Sequence, residues 1–223
     1  MMKRFIFSIF LLPLLLASPQ TKAQGIMLTP KWTAQAQFTG YYVADKLGFY
    51  KEEGIDVCVQ HPAISESSFS FMEKGRAPVV IMNLSYAFME RLAGARVVNV
   101  MQTSQENSLM LISHSPLKGE ESLRNQKIAV WNHLSQKLLD RLAEHYALKQ
   151  VEWIRFNSGV NVFLSGAADP CLVGSYNEYL QLSEYGMNVD SIYSIRLADY
   201  GYNLPEDGLY VTEEFYNQYP EVV

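Results

Sequence analysis

The stretch PVVIMNLSYAFMERLAGARVVNVMQ, Pro78 to Gln102, decides how the chain folds. Its opening, Val79–Met82, is a near-continuous apolar run, as expected of a strand buried on both faces of a sheet. SYAFMERLAG then sets apolar and polar side chains at helical spacing and stops at Gly94, a residue suited to the turn that ends a helix. ARVVNVMQ returns to a β-branched run and reads as a second strand. A helix between two strands is the connection that parallel pairing requires.

Upstream, GIMLTP reads as a strand over Ile26–Leu28 broken by Pro30, and Gly40–Leu47 as a helix with Tyr42, Val43 and Leu47 on one face. Gly48 and Gly54 punctuate the path to IDVCVQ, an alternating β-branched strand. SESSFSFMEKG has Ser and Glu ahead of an apolar turn and Gly75 after it, the signals of a short helix. Downstream the pattern starts again. SLMLISH, KIAVW, QVEWIRF, the end of NVFLSGAADPCLVG and SIYSIRL read as strands, and LSQKLLDRLAEHYAL and YNEYLQLSEYG as helices. This alternation predicts an α/β fold with largely parallel sheets, in two units. The chain passes between them near Gln102–Asn107 and again near Leu197–Tyr202. One lobe then comprises residues 24–102 and 198–223, and the other residues 103–197. There is no low-complexity segment and no solenoid repeat.

With 48% apolar and 18% charged residues among 223, the composition is globular. The first residues, MMKRFIFSIFLLPLLLASPQTKAQ, join a basic start (Lys3, Arg4) to an apolar stretch, Phe5–Ala17, and a small residue, Ala23. They read as a secretory signal peptide over residues 1–23, cleaved near Ala23 or Gln24. The apolar stretch is shorter than the roughly 20 residues a spanning helix needs, which favours a leader over an uncleaved anchor. No Cys follows it to carry a lipid. Cleavage removes Lys3, Arg4 and Lys22 and deepens the formal charge from −5 to −8. An acidic exported domain without clustered Lys and Arg excludes nucleic acid as an expected partner. Cys58 and Cys171 read as buried free thiols rather than a bridge. No Cys or His pair stands at metal-ligand spacing, and His61, His114, His133 and His145 are scattered, so no metal is expected.

The segment from Trp32 to Val57, W-x-x-Q-x-Q-F-x-G-Y-Y-V-A-x-x-x-G-F-Y-x-E-E-G-I-D-V, resembles the start of type 2 periplasmic substrate-binding proteins. It is most similar to the branch that binds thiamine-pyrimidine precursors, with nitrate, taurine and sulfonate binders as cousins and pyrimidine synthases of thiamine biosynthesis in the same family. GARVVNVMQ, LRNQKIAVW, FLSGAADPCLVGSYNEYLQL and DYGYNLPEDGLYVTEEFY carry the resemblance through nearly the whole chain. It implies two α/β lobes, a hinge crossed twice and a ligand held in the cleft between them. It also implies an exported, periplasmic protein of an ABC-type importer, partnered by a membrane permease and needing no cofactor. Relatives continue past YNQYPEVV with helices that return to the first lobe, so C-terminal helices are expected to be missing here.

The resemblance places Trp32 to Phe38 at the cleft. Trp32, Phe38 and Tyr41 can stack on a flat heterocycle, and the amides of Gln35 and Gln37 can bond its ring nitrogens and amino groups. Tyr42 is as readily a core aromatic. Ser65, Ser67 and Ser68 open a helix whose free N–H groups suit an anion, or else simply cap it. Asn83 and Ser85 follow a strand at its ligand-facing end, Gln102 and Ser104 sit at the first crossing, and Trp131, Asn132 and Asn161 stand at strand ends or turns of the second lobe. In SYNEY, Tyr176 can stack and Glu178 can accept from an exocyclic amine, although an acid is also at home in a first helical turn.

A synthase reading makes specific demands. The resembling enzymes hold pyridoxal phosphate on a Lys, consume a nearby His and carry a Cys-rich run. With SYAFMERLAGARV registered on Gly94 and Val97, those two positions are Met82 and Tyr86, and the Cys-rich run expected near Tyr200–Leu209 is absent. Met offers no amine and Tyr no imidazole, so a binder is expected rather than an enzyme. A third possibility is a sensor module that signals through a membrane partner. Many resembling binders have Pro-Asn or Pro-Gln after the Trp and His at the position of Phe38. Here the pair is Ala34–Gln35, which leaves larger aromatic vitamins open as ligands beside the pyrimidine.

Overall fold

The computed structural model describes residues 25–118, 120–131, 140, 143–144 and 151–223. The leader expected at 1–23, Asn132, His133, His145 and most of the helix expected from LSQKLLDRLAEHYAL fall outside them.

The strands are β1 (Ile26–Thr29), β2 (Val57–Val59), β3 (Val79–Asn83), β4 (Val97–Gln102), β5 (Leu109–Ser113), β6 (Lys127–Trp131), β7 (Glu152–Phe156), β8 (Cys171–Gly174), β9 (Tyr193–Arg196) and β10 (Asp207–Thr212). The α-helices are α1 (Thr39–Leu47), α2 (Phe49–Glu52), α3 (Ser68–Glu73), α4 (Leu84–Leu92), α5 (Asn161–Leu164), α6 (Glu178–Glu184) and α7 (Glu213–Gln218). They form two five-stranded sheets, in the orders β2-β1-β3-β10-β4 and β7-β6-β8-β5-β9.

The expected parallel sheets are mixed. β10 runs antiparallel to β3 and β4, and β5 runs antiparallel to β8 and β9. The cause is the double crossing. Each crossing leaves from the carboxyl edge of one set of parallel strands and enters the other sheet at its facing edge. The first strand after a crossing therefore runs against its neighbours. β10 and α7 were not anticipated as elements, and β10 is the inner partner of both β3 and β4.

Both faces of each sheet are covered, which explains the unbroken apolar strands. Successive side chains point to opposite faces. Val79 and Ile81 pack with Ile26, Leu28, Phe38, Val211 and Phe215 on one face of the first sheet. Val80 and Met82 pack with Phe69, Phe71, Met72 and Tyr210 on the other. In the second sheet Ile112, Ala129, Cys171 and Val173 share one face with Phe163 and Leu182, while Leu111, Ile128, Val130 and Leu172 face Leu123 and Leu197. Local signals place the helices over these faces. Ser67 caps α3 by accepting from the Ser70 N–H at 3.1 Å, and Thr212 caps α7 by accepting from the Phe215 N–H at 3.0 Å. α1 ends at Gly48, whose φ of 81° lies in the left-handed region.

Both cysteines are free, as expected, but only Cys171 is buried. Cys58 is exposed, because its strand is at the sheet edge and its side chain points away from the core. Burial pushes the Cys171 thiol up to about 12, with the Glu178 and Asp169 carboxylates adding to the rise. A thiol-specific reagent at mildly alkaline pH is therefore expected to modify one thiol per native chain, at Cys58, and the second only in denaturant. Modification of both at equal rates would contradict this packing.

Candidate functional site

The two crossings lie side by side and are joined chiefly at Asp207. Its carbonyl accepts from the Thr103 N–H at 2.9 Å, the Ser104 N–H at 3.0 Å, the Thr103 hydroxyl at 2.7 Å and the Gln102 amide at 2.9 Å. The Gln102 amide also donates to the Ser104 carbonyl at 3.0 Å. Next to it, the Glu206 carbonyl accepts from the Leu84 N–H at 2.9 Å, and the Glu206 carboxylate accepts from the Ser108 N–H at 3.1 Å and the Ser108 hydroxyl at 3.0 Å. Asn107 donates to the Asn203 side chain and to the Tyr202 carbonyl. The Gln102 and Asn99 side chains lie over Gly208, so that a Cβ there would stand 2.7 Å from Gln102 Oε1 and 2.9 Å from Asn99 Nδ2. A side chain there would displace the Gln102 amide that bonds Asp207.

Charge gathers at the same place. Asp207 is only 6% exposed and pairs with Lys31, which also donates to Asn83 Oδ1 at 2.6 Å. These residues come from the ends of β10, β1 and β3. Burial raises the Tyr41 phenol above its ordinary range; the Thr103 side chain opposes the rise, and Asp207 and Tyr50 add to it. Tyr176 is held far above its ordinary range by burial and then by the Glu206, Asp207 and Glu178 carboxylates. It keeps its proton at neutral pH and can donate. Glu178 is 6% exposed and accepts from the Gly174 N–H at 3.0 Å.

Of the residues expected from the sequence, Tyr41, Asn83, Gln102, Tyr176 and Glu178 meet at this seam. Trp32, Gln35 and Gln37 are half-buried in the loop leading from Lys31 into α1. Gln37 Oε1 is buried with no hydrogen-bond partner among the described residues. Phe38 does not face the seam. It is 0% exposed, because the 3-10 turn Ala36–Phe38 rotates it into the core beneath β1 and β3. Ser68 is also turned inward and donates to the Ile81 carbonyl at 2.8 Å, while Ser67 serves as a cap. Trp131 is 8% exposed and packs in the core with Phe156. Ser65, Ser85 and Asn161 are exposed.

Lys31, Thr103, Ser108, Glu206 and Asp207 were not anticipated. A signal was available for Asp207: DGLYVTEEFY alternates and then gives Thr followed by acids, a strand running into a capped helix.

Met82 is fully buried between β-strand neighbours, and Tyr86 stands edge-on to Phe69 with 6.3 Å between ring centroids. Among the described residues no group of three His, Cys, Asp or Glu can hold a metal ion, and no helix is long and apolar enough to cross a membrane. A cavity of about 360 Å³ lined by Phe69, Met72, Arg96, Val97 and Glu213 lies at the opposite end of the first sheet from the seam, where β4 begins and β10 ends.

Removing one partner of a buried ion pair leaves the other uncompensated. Lys31→Met is expected to lower the unfolding free energy by about 3 kcal/mol, and adding Asp207→Asn to recover part of that loss. Urea denaturation of the single and double variants checks it. A single variant within about 0.5 kcal/mol of the parent would show the pair to be unimportant for stability.

Residues 35–223 match the family described as NMT1/THI5 like. Riboflavin-binding protein RibY of Chloroflexus aurantiacus is 27% identical over 216 residues, covering 92% of this chain and 60% of the relative. The 4-amino-5-hydroxymethyl-2-methylpyrimidine phosphate synthase THI13 of Saccharomyces cerevisiae is 19% identical over 160 residues, covering 69% of this chain and 47% of the relative. The chain thus spans about half the length of these relatives. The periplasmic aliphatic sulphonate binding protein SsuA of Escherichia coli superposes with a TM-score of 0.64 at 14% identity, covering 87% of this chain and 63% of that structure. The likeness to SsuA shows a common fold of two mixed α/β sheets, and the family match through nearly the whole described chain fixes kinship: the protein belongs to the NMT1/THI5-like family.

Proposed function

We propose that this protein captures a small, flat, amino-bearing heterocycle between its two lobes, as the exported substrate-binding component of an ABC-type importer. The observation that carries the reading is the convergence of Tyr176, Glu178, Asn83 and Tyr41 at the seam where the carboxyl ends of both sheets' parallel strands meet. Crevices at such ends are where open α/β sheets hold ligands. Trp32 and Tyr176 supply flat faces for stacking, and Glu178 and Gln37 supply acceptors for ring or exocyclic N–H groups. A thiamine pyrimidine precursor and a riboflavin-like vitamin both fit that description, and relatives are named for each chemistry. In this reading residues 1–23 are the cleaved leader, residues 24–102 with 198–223 form one lobe and residues 103–197 the other. A membrane permease receives the ligand. Closure of the lobes follows from the ligand's greater affinity for the closed state.

The burial of Met82 supports binding over synthesis, because a fully buried thioether can neither form an imine nor donate a proton. The geometry favours no sensor role over transport.

Titration of the purified chain with 4-amino-5-hydroxymethyl-2-methylpyrimidine and with riboflavin, read by intrinsic fluorescence, is expected to show saturable quenching by one of them. An alkanesulfonate is expected to bind more weakly. Binding of the sulfonate alone would sink the stacking argument. Incubation with pyridoxal phosphate is expected to give no borohydride-stable adduct on a seam lysine. Such an adduct on Lys31 would revive the synthase reading.

A further inference from the structure

His61 lies two residues past β2, in a part of the chain to which nothing above gives a role. Both of its ring nitrogens are engaged. Nδ1 meets the Trp32 carbonyl, and Nε2 lies 2.6 Å from the Tyr42 hydroxyl. A carbonyl oxygen can only accept, so Nδ1 carries the proton. Nε2 then has only its lone pair, and the Tyr42 hydroxyl donates to it. In the neutral ring the direction of both bonds is forced. The backbone amide of Gln35 lies against the same hydroxyl and opposes the rise that burial gives the Tyr42 phenol. The His61 ring also packs against the Phe38 and Tyr42 rings, with centroids 5.5 Å and 5.8 Å away. Pro62, which is buried, restricts the backbone of His61 to extended conformations.

The segment held in this way is irregular. Lys31–Ala34 form bends between β1 and the turn at Ala36–Phe38. Such a segment has no sheet or helix ladder to fix its carbonyls, and at Trp32 the His61 side chain does so. It is also the segment that carries Lys31 to Asp207, and that presents Trp32, Gln35 and Gln37.

We propose that His61 is a positioning residue for this loop: with Tyr42 as its second arm, it clasps the Trp32 carbonyl and holds Trp32, Gln35 and Gln37 in register for a ligand at the seam. The ligand-directed half of this inference rests on the function proposed above; the clasp itself does not.

The test uses the full chain labelled with nitrogen-15 at mildly alkaline pH. The neutral His61 ring is expected in the Nδ1–H form, and an Nε2–H ring would overturn the clasp. Tyr42→Phe keeps the aromatic packing and removes the hydroxyl. It is expected to speed hydrogen exchange at the Gln35 amide about tenfold and to loosen the Trp32 indole N–H in relaxation measurements. His61→Asn places an amide N–H near the position of Nδ1 and is expected to keep Trp32 more ordered than His61→Leu does. Equal loop order in parent, Tyr42→Phe and His61→Leu overturns the proposal, and these readouts need no ligand. If riboflavin or 4-amino-5-hydroxymethyl-2-methylpyrimidine binds the parent, Tyr42→Phe is expected to weaken that probe about tenfold. Unchanged affinity would overturn the positioning role. If neither probe binds the parent, the ligand reading fails, while the tautomer and exchange results still decide the clasp.

Discussion

The backbone carbonyl of Asp207 holds the two crossing segments together where they leave the first sheet. Thr103 and Asp207 are 104 residues apart in sequence, yet the donors of Gln102, Thr103 and Ser104 converge on that one oxygen. Its neighbour Glu206 ties the second crossing to Ser108 by its side chain and to Leu84 by its backbone. A carbonyl has two lone pairs, so several donors sharing one oxygen make a dense local arrangement rather than a strong single bond. The strength lies in number and in burial. The same residue also places its carboxylate against Lys31 and so couples the hinge to the loop after β1. The two crossings and the loop after β1 are therefore joined through one residue.

The electrostatics of the seam follow from that arrangement. Three carboxylates, those of Glu206, Asp207 and Glu178, act on Tyr176 and oppose loss of its proton. Each has an assigned partner: Lys31 for Asp207, Ser108 for Glu206 and the Gly174 N–H for Glu178. Buried charges with partners are fixed dipoles, already oriented before anything arrives. The seam thus presents acceptors in fixed positions, with the Lys31 ammonium as the cation paired to Asp207.

Regular elements are legible in the sequence where burial imposes a pattern. The run Val79–Met82 in β3 is apolar because both its faces are covered, whereas α4 is legible from its helix formers and its stop at Gly94, since only Ala87 in it is buried and Phe88, Met89 and Leu92 are exposed. Partners distant in sequence are not legible. Nothing near Lys31 announces Asp207, and His61 finds Trp32 and Tyr42 only because β2 lies beside β1. Phe38 is misread for a local reason: it follows two glutamines that suggest a polar loop, but the intervening 3-10 turn rotates it inward by a third of a circle per residue. β10 is hidden by its neighbours, since a strand following Pro205 and an Asp-Gly pair reads first as a turn.

The entry of β10 as the inner strand of the first sheet has a consequence for how the molecule comes into being. All five strands of the second sheet lie between Leu109 and Arg196, in one continuous run. The first sheet begins at Ile26 but has no strand between β3 and β4 until Asp207–Thr212 has been made. A chain that emerges amino end first can complete the half it makes second before the half it makes first. Until then β3 and β4 present unpaired edges facing an empty lane, the kind of surface that recruits other strands. β10, made after every described strand of the second sheet, thus closes a sheet whose other described strands are made first.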